Sequence, residues 1–200
     1  GIESTNETVL KKMNKQVNLK LGTDSYFDCI QKIHNAGLVV WGSVVFGADG
    51  DDKDSFKRMT DFILENNIDI LTFGINCPFP KTQLYARLDS EKRIFRKNYP
   101  EDWQYYDTAH VVHRFVDMTL EDFIEGMQYI YDHIYASDNL RTRFRNSIKT
   151  TKNPRNSMFA FRVGSDWKQV FEQVLQNLTL QQLHYFQQVI QLIEMLFKMS

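Results

Sequence analysis

The densest concentration of glycine and carboxylate in the chain is "GSVVFGADGDD", residues 42–52, and two further polar clusters, Glu3 with Ser4 and Asn76–Thr82, stand apart from it in sequence. Such a stretch lets backbone amides approach a ligand closely, because Gly47 and Gly50 accept dihedral angles that other residues resist. A plain tight turn needs the same residue types. Neither GxGxxG nor GxxxxGK(S/T) is present, so a cradle for a nucleoside triphosphate is disfavoured. His110 and His113, with Asp107 nearby, are metal-ligand types, but on a strand positions i and i+3 point to opposite faces, and polar residues around a closing strand are the simpler reading. Cys29 and Cys77 lie far apart without a CxxC, so no zinc or cluster site can be read from them, and both are expected reduced and buried. Cys77, just before Pro78, would stand at the rim, where it either faces substrate or is buried and inert. Arg141, Arg143, Arg145, Lys149, Lys152 and Arg155 form a basic run without an acidic residue among them. A nucleic-acid or lipid-headgroup surface is one reading of the run, and a solvated linker face, as charge runs generally are, is the other.

Positioning these residues requires elements. "TDSYFDCIQKIHNAG", residues 23–37, carries Tyr26, Phe27, Ile30 and Ile33 on one helical stripe, with Thr23 or Asp24 as cap and Gly37 as stop. "LVVWGSVVF", residues 38–46, has no polar alternation and reads as a strand covered on both faces. The pattern repeats with a helix over Asp54–Asn66, a strand at "IDILTFGIN", residues 68–76, and a helix over Thr82–Ser90, so these residues read as successive βα units of a parallel fold. In that alternation "NETVLKKMN", residues 6–14, should be a strand and "GIES" the end of one, so the chain is expected to begin inside a longer protein. "AHVVHRF" reads as one more short strand, and Asp117–Ala136 as a helix with Thr119 and Asp122 in a capping box. Beyond it the tendency is helical. Ser165 or Asp166 is expected to open one helix, carrying Trp167, Val170, Phe171, Val174 and Leu175. Thr179 would open another, carrying Leu183, Phe186, Ile190, Ile193 and Phe197, the pair forming an αα-hairpin. In a parallel α/β fold ligands meet the carboxyl ends of the strands, which would gather the three polar clusters on one rim.

With 200 residues, 42% hydrophobic and 24% charged, the chain has the composition of a folded globular protein. A formal net charge of -1 gives no global attraction to polyanions, so binding of that kind would be regional and there is no strong nucleic-acid signal. No apolar run approaches the roughly 18 residues of a membrane span, and no signal-peptide pattern opens the chain, which points to the cytoplasm.

"GIES", "LKKMNK", "GSVVFGADGD", "PFPKTQLYARL" and "YDTAHVVHRF", in that order over roughly residues 1–135, resemble the second half of the radical S-adenosylmethionine (SAM) enzyme barrel, especially in members with a cobalamin-binding domain. The resemblance implies an α/β fold, the second half of a partial (βα)6 TIM-like barrel over residues 1–116, followed by a helical domain over 117–200. It places Glu3 at a strand end facing SAM, Lys15 opposite the SAM carboxylate and Ser43 against the ribose, with Gly47 in the cofactor-binding loop. The implied cofactors of a full-length parent are SAM, a 4Fe-4S cluster and cobalamin, and the implied activity is that of a radical SAM enzyme of the methyltransferase kind. The family's CxxxCxxC is absent, so the fragment is expected to be inactive alone and to bind none of these. Asp49 stands where the family has proline and Lys81 where it has glycine. The expected partners are the missing amino-terminal half, a small-molecule or lipid substrate, and a second copy meeting an exposed sheet edge. The competing reading is a non-catalytic α/β module whose helical, locally basic tail binds a protein or RNA.

Overall fold

The computed structural model describes the backbone of residues 1–198 and the side chains of residues 1–181. Its element order is α1 (Glu7–Lys12), α2 (Gln16–Leu21), a 3-10 turn (Thr23–Ser25), α3 (Tyr26–Asn35), β1 (Trp41–Phe46), α4 (Ser55–Glu65), β2 (Ile70–Ile75) and α5 (Gln83–Ser90). A second 3-10 turn (Glu101–Tyr105), α6 (Leu120–Ile134), α7 (Ser137–Thr151) and α8 (Pro154–Lys198) complete it.

β1 and β2 pair in parallel, from Trp41 opposite Ile70 to Phe46 opposite Ile75, and form a two-stranded sheet. On the other side of β1 the opening residues add one parallel bridge, Glu3 to Val44, through Glu3 N donating to Ser43 O at 2.9 Å and Val45 N donating to Glu3 O at 3.1 Å. The expected half-barrel is therefore corrected: among the described residues the sheet is open and has two strands, and no remnant of a (βα)6 barrel is seen. Two expected strands are absent, the first for a local reason. "NETVLKKMN" folds as α1, because Asn6 caps it by accepting from Thr8 N at 2.8 Å, with Glu7 in the first turn and Lys11 and Lys12 in the last, complementing the helix dipole. "AHVVHRF" makes only an isolated antiparallel bridge between Ile94 and His113.

β1 is covered on one face rather than two: Gly42, Val44 and Phe46 are buried while Trp41 and Ser43 are exposed. The buried face meets α4 and α6 in an aromatic core, where Phe56 stacks on Phe46 at 4.7 Å and meets Phe123 edge-on at 5.5 Å. Burying each such side chain contributes about 1.5–3 kcal/mol. On α3 only half of the expected stripe is inward, since Tyr26 and Ile30 are buried but Phe27 is 52% exposed. α6 follows its sequence signals closely. Thr119 and Asp122 form the capping box, and Phe123, Met127, Ile130 and Ile134 are buried.

α8 is continuous over 45 residues, so the expected break before Thr179 does not occur. The hydroxyls taken as caps bond backwards along the helix instead, Ser165 Oγ to Phe161 O at 2.9 Å and Thr179 Oγ1 to Leu175 O at 3.0 Å. Phe171 and Leu175 are buried as expected, whereas the side chains of Leu183, Phe186, Ile190, Ile193 and Phe197 lie outside the described ones. The helical hairpin is formed by α7 and α8, joined at Lys152 and Asn153. Among the described residues no helix is long and apolar enough to cross a membrane.

Candidate functional site at the strand ends

The side chains of two of the four residues singled out for a cofactor touch: Lys15 Nζ donates to Glu3 Oε1 at 2.8 Å, closing a loop of twelve residues over α1. Glu3 has φ of 63°, a left-handed conformation that a non-glycine residue adopts only where its surroundings hold it. Its amide and carbonyl are tied to β1 and its carboxylate to Lys15, which supplies that constraint. Ser43 lies beside Glu3 through its backbone, accepting from the amides of Ile2 and Glu3, and is exposed on the open face of the sheet. Gly47 sits further along, immediately beyond the end of β1, with φ of 86°. A Cβ there would stand 2.6 Å from the Phe115 ring, so the position has neither the dihedral nor the space for a side chain.

The loop after β1 is organised by Asp51, which sequence reasoning did not single out. Its carboxylate accepts from Gly47 N at 3.0 Å and Ala48 N at 3.1 Å, so the glycine and acid content serves a self-capped turn. A small cavity lies against this turn, lined in part by Glu3, Ser4, Asp51, Ser55 and Arg58. Glu3 is the one proposed cofactor residue that lines it; Lys15, Ser43 and Gly47 do not.

Asp49, at the position where the resembled family has proline, anchors an ion network. Arg93 Nη2 donates to Asp49 Oδ1 at 2.6 Å and Arg87 Nη1 to Asp49 Oδ2 at 2.5 Å, fastening the loop to α5 and the segment after it. Burial acts against ionisation of Asp49, but the hydrogen bonds and charges of Arg93 and Arg87 outweigh it and hold the carboxyl down at about 2. Lys81 has φ of 65°, so it occupies the left-handed position that a glycine would fill without strain. Arg87 and Arg93 carried no sequence signal, because their partner is remote in the chain.

His110 and His113 do not share a site. His110 Nδ1 pairs with Asp107 Oδ2 at 2.9 Å, whereas His113 is buried with Nε2 3.4 Å from Gly47 O. Burial pushes Cys77 up to about 11, which leaves it a neutral thiol, while Cys29 is half-buried rather than buried.

The turn gives a testable dependence on pH. Burial raises Asp51 to about 6, against the Ala48 and Gly47 amides. Its proton is held longer in the folded chain than in the unfolded one, so its contribution destabilises as pH climbs from about 4 to about 6. Burial lowers His113 to about 4, so the unfolded chain takes that proton first and stability falls as pH drops from about 6.5 to about 4. The two oppose each other over one window. Asp51→Asn is therefore expected to leave a melting temperature that rises with pH between about 4 and 6, where the native protein is flatter. Thermal melts across that range check it, and an unchanged profile contradicts it.

A family model described as "Domain of unknown function (DUF4070)" matches residues 82–199, more than half of the chain. The chain belongs to the DUF4070 family. A bacteriochlorophyllide d C-12(1)-methyltransferase of Chlorobaculum tepidum is 28% identical over 145 residues, 72% of this DUF4070 chain and 30% of that enzyme. The C-8(2)-methyltransferase of the same organism is 26% identical over 156 residues, 78% of the chain and 32% of the enzyme. A hopanoid C-2 methylase of Rhodopseudomonas palustris is 30% identical over 94 residues, 47% of the chain and 17% of that protein. The chain thus spans about a third or less of the length of these relatives.

These findings correct the resemblance to cobalamin-type radical SAM enzymes, together with the 4Fe-4S cluster, the cobalamin and the enzyme class it implied. The relatives carry the names of methyltransferases and a methylase. The described sheet is open, and among the described residues no group of three or more His, Cys, Asp and Glu side chains could hold a metal ion.

Proposed function

We propose that this DUF4070 chain is part of a methyltransferase, and that Glu3, Lys15, Ser43 and Gly47, beside β1 and just beyond its end, bind the methyl donor, S-adenosylmethionine. The observation that carries the reading is the similarity to methyl-transferring enzymes over as much as 78% of the chain. The chemistry of these residues supports it. The Lys15 ammonium suits the donor's carboxylate, and Glu3 suits its ammonium or ribose hydroxyls. The Ser43 hydroxyl suits the ribose, and Gly47 lets the loop backbone turn at the end of β1 against the Phe115 ring. The strained Glu3 backbone, held by β1 and Lys15, keeps the carboxylate in place before the donor arrives. The acceptor is a large, apolar, ring-bearing molecule, in keeping with the bacteriochlorophyllide and hopanoid of the relatives' names. The protein works in the cytoplasm.

The test is transfer of labelled methyl groups. The intact protein, given S-adenosylmethionine carrying a tritiated methyl and an apolar polycyclic acceptor such as a hopanoid or chlorophyllide, should move label into the organic phase. Lys15→Met should slow this at least about tenfold, the effect of losing one charge-assisted hydrogen bond. No transfer to either acceptor class, or a variant as fast as the native protein, overturns the reading.

A further inference from the structure

The basic run has a structure that a solvated linker would not have. It forms α7 and the start of α8, and its cations divide by face. Arg143, Ser147 and Thr151 are buried, while Arg141, Arg145, Lys149 and Lys152 are exposed along the opposite side of the helix. On α8, Ser157, Ala160 and Gly164 are buried, and the opposite stripe at spacing i, i+3, i+4, i+7 is Arg155, Met158, Phe159 and Arg162, all exposed. Met158 is 54% exposed and Phe159 is 57% exposed, two adjacent apolar side chains set between two arginines. The helices are fastened side by side, Ser147 Oγ to Ser157 Oγ at 2.9 Å and Phe144 against Phe161 at 4.9 Å.

We infer that this outer face of the α7–α8 hairpin is a docking surface for an anionic lipid membrane. From Ser137 to Ser165 the only acidic residue is Asp138, which lies 3.8 Å from Arg141, and the exposed Asp166 follows one turn after Arg162, so the exposed cations Arg141, Arg145, Lys149, Lys152, Arg155 and Arg162 still outnumber these two carboxylates in a chain whose net charge is -1. Segregated positive charge of this kind complements the negative surface of a leaflet rich in acidic headgroups. The apolar pair decides between polyanions. Phe159 alone could stack on a base, but Met158 beside it gains little from a nucleic acid, whereas at a headgroup boundary both enter the acyl region while the long stems of Arg155 and Arg162 keep their charges among the phosphates. Attachment is peripheral, since among the described residues no helix is long and apolar enough to cross a bilayer. The inference does not depend on methyl transfer.

Sedimentation with vesicles tests it. The protein should pellet with vesicles of phosphatidylcholine mixed with phosphatidylglycerol and stay in the supernatant with phosphatidylcholine alone, and salt should release it. Reversing Arg145, Lys149 and Lys152 together to glutamate should weaken binding at least about tenfold without changing the circular dichroism spectrum, because all three are exposed. Met158→Ser with Phe159→Ser should leave a weaker association that salt abolishes more readily. Salt-insensitive pelleting, equal pelleting with both vesicle types, charge-reversed protein that binds as the native one does, or retention by single-stranded RNA but not by vesicles overturns it.

Discussion

Replacing Gly126 by alanine is expected to destabilise the protein by about 2–3 kcal/mol, despite the better helix propensity of alanine. Gly126 faces α4 from α6, and a Cβ there would stand 2.2 Å from Cδ2 and 2.4 Å from Cγ of Phe56. A flexible side-chain end could swing away, but the Phe56 ring is held on both sides, stacked on Phe46 at 4.7 Å and edge-on to Phe123 at 5.5 Å. Either α6 moves off α4 or the aromatic stack opens, and either change loses packing from the centre of the core. The measurement is the urea midpoint of Gly126→Ala against the native protein. A second variant isolates the cause: Phe56→Leu should be destabilising alone, yet should offset part of the alanine effect in the double variant, a coupling expected only when the two groups collide. Additive losses would contradict this contact.

Arg143→Met is expected to destabilise by about 3–5 kcal/mol. The guanidinium is buried, donating from Nη1 to Ile68 O at 3.0 Å and from Nη2 to Ile134 O at 2.9 Å. It thereby joins α7 to the turn before β2 and to the end of α6. Methionine fills similar volume but leaves both carbonyls without this donor, and an unmet buried polar group costs about 1–3 kcal/mol. The loss should reach Asp69 as well, whose buried carboxylate accepts from Val40 N at 2.8 Å and pairs with His34 Nε2 at 2.9 Å. Its negative charge lies near the guanidinium, and removing the cation leaves it less compensated. Urea denaturation measures the effect, and a change below about 1 kcal/mol would mean that the two carbonyls are satisfied by other donors.

Arg143 also shows where the sequence stopped being legible. In sequence it is one of six cations in a run, indistinguishable by type or spacing from Arg141 and Arg145, and its burial is decided by the carbonyl of Ile68, remote in the chain, together with that of Ile134 at the end of the preceding helix. Thr119 and Asp122 are the opposite case. The whole of their interaction lies within four residues, and α6 with its buried stripe could be read directly. β1, β2, α4 and α5 were legible for the same reason, from local apolar period and turn residues. Alternation misled at residues 6–14, where an assumed βα rhythm overrode the local signals of Asn6, Glu7 and the two lysines. Ser165 and Thr179 misled because a hydroxyl that caps one helix can equally bond back within another. At the strand ends, Gly47 and the acids were recognisable as a turn. The fastening of that turn through Asp51 and through Asp49 to Arg87 and Arg93 required the fold.

The claim that the Glu3 and Lys15 pair holds a methyl donor is tested most directly by equilibrium dialysis of labelled S-adenosylmethionine against the intact protein. Native protein should bind saturably, and Lys15→Met should raise the Kd at least about tenfold while the circular dichroism spectrum stays that of the folded protein. Lys57→Met, which removes an exposed lysine paired with Asp61 on α4, should bind as the native protein does. Equal affinity for the native protein and Lys15→Met, or no binding by either, would contradict the account.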